Sequence, residues 1–278
     1  MSRLEAALRR AQALTDEAVL PPADVTEPRH LFDALVEPEE ATAPATNFND
    51  LGPSAEKLVT TARIEQSTVE QYRKLAATLH HGQLERELKV VMVSSAVSGD
   101  GKTLTATNLA LTLSESYRRR VLLIDADLRR PSIHQVFHVP NVTGLTDSLT
   151  AETDQRLPIV HASPHLSLLL AGRPDSDPMS GLTSGRMRRL IREATAKFDW
   201  VIIDTPPVVL LPDANLLAAM VDAAILVIGA GKTPYKLITR AIEALGRNKI
   251  MGVVLNRVDR ACVAGGYGYK YYEYGPRR

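Results

Sequence analysis

One lysine, one threonine and three aspartates stand where this chain would handle a nucleotide. In SSAVSGDGKTLTATNLALTL, directly after an apolar run, Gly99, Gly101, Lys102 and Thr103 end a G-x-x-x-x-G-K-[ST] pattern, with Ala96 in place of its first glycine. Glycines let consecutive backbone N–H groups turn inward as an anion nest, and a helix starting near Lys102 adds its positive end. The spacing therefore predicts that Ser98, Gly99, Asp100, Gly101, Lys102, Thr103 and Leu104 surround the phosphates of ATP. Lys102 would reach the β- and γ-phosphates, and the Thr103 hydroxyl would ligate Mg²⁺. VLLIDADLRRP puts Asp125 and Asp127 at and just past a strand's carboxyl end, where residues i and i+2 point the same way. WVIIDTPP puts Asp204 at another strand end, the usual place for a carboxylate that holds Mg²⁺ through water. A lone strand-end aspartate is more often a cap or turn residue. Three beside a phosphate loop point to magnesium chemistry on a nucleoside triphosphate.

The third carboxylate matters because Mg²⁺ needs only Thr103, Asp204 and one of Asp125 and Asp127. The other is then free to accept a proton from an incoming hydroxyl. A phenol, with a pKa of about 10, is a poor nucleophile near neutrality and would benefit from such a base. The chain ends in GYGYKYYEYGPRR, with Tyr267, Tyr269, Tyr271, Tyr272 and Tyr274 crowded together and no aliphatic residue among them. On composition alone this is a low-complexity docking tail. Behind the phosphate loop and aspartates it reads as a substrate carried by the enzyme. From Val258, where the last strand should end, the chain reaches about 30 Å to Tyr267, which suits transfer to the tail of a neighbouring copy. Each phosphate would add roughly −1.5 to −2 charge. Several would repel one another and a crevice expected to be acidic.

These residues need a scaffold. KVVMVSS, VLLID, LSLLLA, WVIID, AAILVIG and IMGVVLN are short apolar runs separated by helix-length segments, the pattern of a parallel sheet covered on both faces. They predict a doubly wound, mostly parallel α/β domain of P-loop NTPase type from about Leu88 to Val258. A helix over 54–80 leads into it, giving a domain of residues 54–258. Ahead of it, residues 2–18 carry helical spacing, and a stretch rich in proline and acidic residues continues as a poorly ordered linker to residue 53. Residues 259–278 are a flexible tail.

Bulk properties narrow the function classes. The 278 residues are 45% hydrophobic and 23% charged, with a formal net charge of +1, so no general attraction to nucleic acid is expected. The single Cys262 forms no internal disulfide and cannot ligate a bridging iron–sulfur cluster by itself. The longest apolar candidate, Leu216 to Ala230, is interrupted by Asp222 and too short to span a bilayer. A cytoplasmic protein is expected, brought to the inner face of the membrane by a partner.

SAVSGDGKT, LLIDADLRRP, VIIDTPP and the tyrosine tail together resemble the bacterial tyrosine kinases of capsule and exopolysaccharide export, P-loop proteins related to the MinD/ParA ATPases. The resemblance runs from about Glu70 to the C-terminus. It implies Lys102, Asp125 and Asp127 as catalytic, with Asp125 the base; Thr103, Asp127 and Asp204 as the Mg²⁺ shell; and Asn256, in VVLNRV, as a contact to adenine. It also implies a membrane-embedded polysaccharide co-polymerase as activator, and self-assembly. The family's E-x-x-R-x-x-R assembly motif is present only as Glu70, Arg73 and Ala76, which puts a ring in question. The N-terminal extension is similar to that of autokinases accompanying exosortase-linked systems. Two other readings stay open: a MinD/ParA-like ATPase switch, disfavoured because Val97 stands at the signature-lysine position, and a nucleotide-binding adaptor without kinase activity.

Overall fold

The computed structural model describes residues 31–32, 57–61, 64–151, 153, 155–209 and 213–258. The tyrosine cluster and the expected helix at 2–18 lie outside the described residues. No helix among the described residues is long and apolar enough to cross a membrane.

The domain opens with α1 (Gln66–Arg86), β1 (Val90–Ser95) and α2 (Lys102–Leu111), which passes into a π-helical turn at Thr112–Ser116. Then come β2 (Val121–Asp125), α3 (Ile133–Phe137), α4 (Leu145–Thr150), β3 (Ile159–Ser163), β4 (Leu166–Leu169), α5 (Met179–Leu182) and α6 (Gly185–Lys197). The chain continues through β5 (Trp200–Asp204), α7 (Asp213–Ala218), β6 (Ala223–Gly229), α8 (Tyr235–Leu245) and β7 (Ile250–Asn256). The strands form one seven-stranded sheet in the order β3-β4-β2-β5-β1-β6-β7. All pairings are parallel except β3 with β4. Strands β1, β2, β5 and β6 are buried along their whole length, which is why their sequences read as unbroken apolar runs. Two apolar clusters result. One includes Met92, Ile124, Ile203 and Leu190, the other Val91, Leu123, Ile202 and Leu109. Their members alternate along each strand, so the clusters occupy opposite faces of the sheet. Trp200 opens the strand that carries Asp204 and is fully buried.

Three expectations need correction. The lead-in helix spans Gln66–Arg86, not 54–80. Residues 57–61 are turns, with the Leu58 side chain fully buried and Asn108 of α2 accepting from Val59 N and donating to Lys57 O. At the other end the helix runs through Gly82, where an added Cβ would come within 2.7 Å of Met251 and 2.8 Å of Leu88; close packing, not a helix stop, explains that glycine. The seventh strand, β3, was not expected. It pairs antiparallel with β4 across a two-residue turn at Pro164–His165, and its half-buried edge position leaves no continuous apolar run to read. Finally, the stretch expected to be linker to residue 53 contains Leu31 and Phe32, which are 3% and 1% exposed and belong to one core cluster.

Candidate active site

Parallel pairing places the chemistry at the carboxyl ends of β1, β5 and β2. Asp204 registers with Asp125 across β5 and β2, and with Val93 across β5 and β1, so the two carboxylates sit at the same level beside the loop that follows β1. The turn after Asp204 is fixed from below. The Thr205 amide and hydroxyl both donate to Val93 O, and the buried Ser94 hydroxyl donates to Pro206 O. The loop after β1 turns through Gly99 (φ +85°) and Gly101 (φ +101°), both left-handed, and α2 starts at Lys102. An added Cβ on Gly101 would fall 2.0 Å from Asn256 Nδ2, so position 101 requires glycine on two counts.

Lys102 bridges the carboxylates. Its Nζ lies 2.8 Å from Asp127 Oδ2 and 3.6 Å from Asp204 Oδ1. Burial alone would lower the lysine pKa, but the charges of Asp204 and Asp127 outweigh it and the pKa rises, so Lys102 stays cationic. Asp125 is wholly buried, with Oδ2 accepting from the backbone N–H of Ser132 and Ile133 and Oδ1 from Asp127 N at 3.3 Å. Its pKa is pushed up to about 7 by burial and by the charge of Asp204, against the pull of the Ile133 amide and Lys102. Asp204 is raised as well, chiefly by burial. The charge of Lys102, at 3.6 Å from Oδ1, and the Thr103 hydroxyl pull the other way. Thr103 Oγ1 accepts from Lys102 Nζ at 3.3 Å and from Ser132 Oγ at 3.1 Å.

This donor set fits Mg²⁺. The carboxylates of Asp204 and Asp127 and the hydroxyl of Thr103 are hard oxygen donors. Among the described residues no group of three or more His, Cys, Asp or Glu side chains forms a closed metal cage. Magnesium does not need one, because it takes one or two carboxylates and completes its shell with substrate phosphates and water.

A cavity of about 1060 Å³ opens above the loop, lined by Ser98, Gly99, Gly101, Lys102, Thr103, Leu104, Asp127 and Asn256. Asp125, Asp204 and Asp100 do not line it. The expected acidic crevice is therefore corrected: Lys57, Lys102, Arg129, Arg130 and Arg257 face the cavity against the single carboxylate of Asp127. Asp125 and Asp204 are buried behind the lining residues, with Lys102 over Asp204. Asp100, expected among the phosphate contacts, turns its side chain inward. It is fully buried, Oδ1 accepts from the Thr233 hydroxyl at 2.7 Å, and its backbone carbonyl accepts from Asn256 Nδ2 at 2.8 Å. An added Cβ on Gly229 would fall 2.9 Å from the same Asp100 Oδ1. The loop is thus pinned to β6, to the turn after it and to the end of β7. Thr233 and the anchoring residue Asn108 were not singled out from the sequence.

The CobQ/CobB/MinD/ParA nucleotide-binding domain matches residues 91–262. The tyrosine-protein kinase YwqD of Bacillus subtilis is 36% identical over 206 residues, covering 72% of this chain and 86% of its own. The tyrosine-protein kinase etk of Escherichia coli K12 is 34% identical over 205 residues, but this chain spans only 28% of its length. Among solved structures, the kinase domain of the Escherichia coli tyrosine kinase ETK superposes with a TM-score of 0.63 at 31% identity, covering 72% of this chain and 80% of that one.

Proposed function

This chain belongs to the CobQ/CobB/MinD/ParA nucleotide-binding family and, within it, to the bacterial tyrosine-protein kinases, and from that premise we propose that it is a Mg²⁺- and ATP-dependent autokinase. Its acceptors are Tyr267, Tyr269, Tyr271, Tyr272 and Tyr274 on the tail of a neighbouring copy. The observation that carries this reading is the set of three strand-end aspartates around Lys102, one more than a Mg²⁺ site uses.

Roles follow from position and charge. Lys102 leaves its carboxylate partners to neutralise the β- and γ-phosphates, and the N–H groups of Ser98 to Thr103 cradle them. Thr103, Asp127 and Asp204 would hold Mg²⁺, which would draw charge off the phosphates. Asp125 is the base. Its pKa of about 7 suits proton acceptance near neutrality, and its Oδ1 carries only the 3.3 Å contact from Asp127 N. Because Asp125 lies below the cavity floor, the segment 127–132 must shift for a phenol to reach it. The proton passes from the tyrosine hydroxyl to Asp125 as the phenolic oxygen bonds to the γ-phosphorus and ADP departs. Asn256, on the cavity wall, would contact the base of the nucleotide after giving up Asp100 O. We further propose a membrane-embedded activator of the polysaccharide co-polymerase kind, a role in exopolysaccharide or capsule export, and a location at the inner face of the membrane.

Phosphopeptide mapping of the full chain with ATP and Mg²⁺, with and without an activator fragment, tests the reading. Phosphotyrosine on the tail, absent in Lys102→Met, is expected. Labelling of a Lys102→Met chain by an active chain lacking residues 259–278 would establish transfer between copies. ATP hydrolysis with no phosphotyrosine under any of these conditions would point instead to an ATPase switch.

A further inference from the structure

Leu31 and Phe32 occupy a built site on the face of the sheet covered by α6. Leu31 N donates to Glu193 Oε2 at 2.7 Å, and Leu31 O accepts from Leu157 N at 3.2 Å. Phe32 O accepts from Lys197 Nζ at 3.4 Å, and its ring meets Phe198 edge to face with centroids 5.9 Å apart. The two side chains are almost fully buried in a cluster that includes Leu190, Ile191 and Ala194. Parts of the receiving surface are held by contacts of their own. Helix α6 is capped by its own Ser184, which accepts from Met187 N, and Glu193 is held in place by Arg189 Nε at 2.7 Å. The dipeptide itself belongs to no helix or strand. Its two side chains, amide and carbonyls are each matched by a named group, as a peptide ligand's are, while the sheet and helices close their own hydrogen bonds.

We propose that the surface made by α6, Phe198 and Leu157 is an intramolecular docking site for a Leu–Phe motif. Through it the N-terminal extension is fastened to the kinase domain, and from it the motif separates without unfolding the domain. Local contacts of this size open at lower free energy than central strands, which exchange only with global unfolding. The chain's own Leu31–Phe32 is the occupant. A partner able to replace it must present an aliphatic and then an aromatic side chain on a turn-forming backbone, because both side chains and three main-chain groups are matched. This inference does not depend on the assignment of phosphoryl transfer.

Hydrogen exchange on the full chain tests it. Amides of the segment containing Leu31 and Phe32 are expected to exchange about 100-fold faster than those of Val201–Ile203; equal protection would make the dipeptide core and overturn the proposal. A full-length Leu31→Ser/Phe32→Ser variant, checked for cooperative unfolding, is expected to bind a fluorescent peptide of residues 26–37 saturably. Wild type, its site filled in cis, should bind it at least about 10-fold more weakly, and a Phe32→Ser peptide should bind neither. Failure of the variant to fold, absence of peptide binding, or equal binding by wild type would each overturn it. A wild-type dimer that the double variant loses would show that the occupant comes from a second copy, and would overturn the assignment in cis.

Discussion

Lys102 and Asp127 form an ion pair at 2.8 Å in a site where the two side chains are only 10% and 6% exposed. The cation proposed to bind phosphate is therefore stored against a carboxylate proposed to hold Mg²⁺. Removing one partner leaves a buried charge without compensation. Lys102→Met should abolish phosphoryl transfer and also change the stability of the nucleotide-free protein, since Asp127 and Asp204 lose their common cation. Breaking a buried pair typically costs about 3–5 kcal/mol, less where the orphaned carboxylates take up protons. Urea denaturation without nucleotide measures this, and a loss below about 1 kcal/mol at pH 8 would mean that the pair contributes little.

Asp125 gives a pH signature. Its pKa is raised to about 7 in the folded chain from the ordinary 3.8. Its contribution to stability is therefore fully present below the unfolded value and lost as pH rises through about 7. In EDTA and without nucleotide, Asp125→Asn should melt higher than wild type at pH 8, and the difference should shrink as pH falls toward 5. A gap independent of pH would contradict the raised pKa. The same substitution should leave nucleotide affinity within a few fold while removing tyrosine phosphorylation. Asp127→Asn should instead weaken the Mg²⁺-dependent part of nucleotide binding, as titration with fluorescent ADP at varied Mg²⁺ would report.

Thr233 holds the phosphate loop from outside it, through its 2.7 Å bond to Asp100 Oδ1. Thr233→Val leaves that buried carboxylate oxygen without its donor, a loss of about 1–3 kcal/mol. Nucleotide Kd should rise about 5- to 100-fold, with Thr233→Ser close to wild type. Equal loss in both variants would assign the effect to packing, not to the hydroxyl.

Gly101→Ala combines a left-handed backbone (φ +101°) with a Cβ 2.0 Å from Asn256 Nδ2. The loop and the Asn256 amide cannot both keep their places. ADP should no longer raise the melting temperature, whereas Gly185→Ala, whose Cβ meets nothing within 4 Å, should respond to ADP as wild type does.

Much of the site was legible because it is local in sequence. The phosphate loop is one turn between one strand and one helix, and strand-end aspartates announce themselves through the apolar runs before them. Thr233 and Asn108 were not legible. Each acts through a backbone or carboxyl group more than forty residues away, and nothing in GKTP or in TNLAL signals a partner. Leu31 and Phe32 were hidden for a related reason. They open the short run LFDALV, bounded by Pro28 and Pro38 and too brief for its spacing to mark an element, and only the contacts with α6 and Phe198 give the dipeptide a place.

By itself, then, the chain's order of residues determined the doubly wound architecture and the glycine loop with its neighbouring aspartates, because parallel strands buried on both faces and a glycine nest are coded by near neighbours. Tertiary structure decided how those groups divide. Asp127 faces the cavity while Asp125 and Asp204 lie beneath it, and the rim is cationic, not acidic. Burial and the sign of the local charge are sums over elements far apart in the chain, and no stretch of sequence contains them.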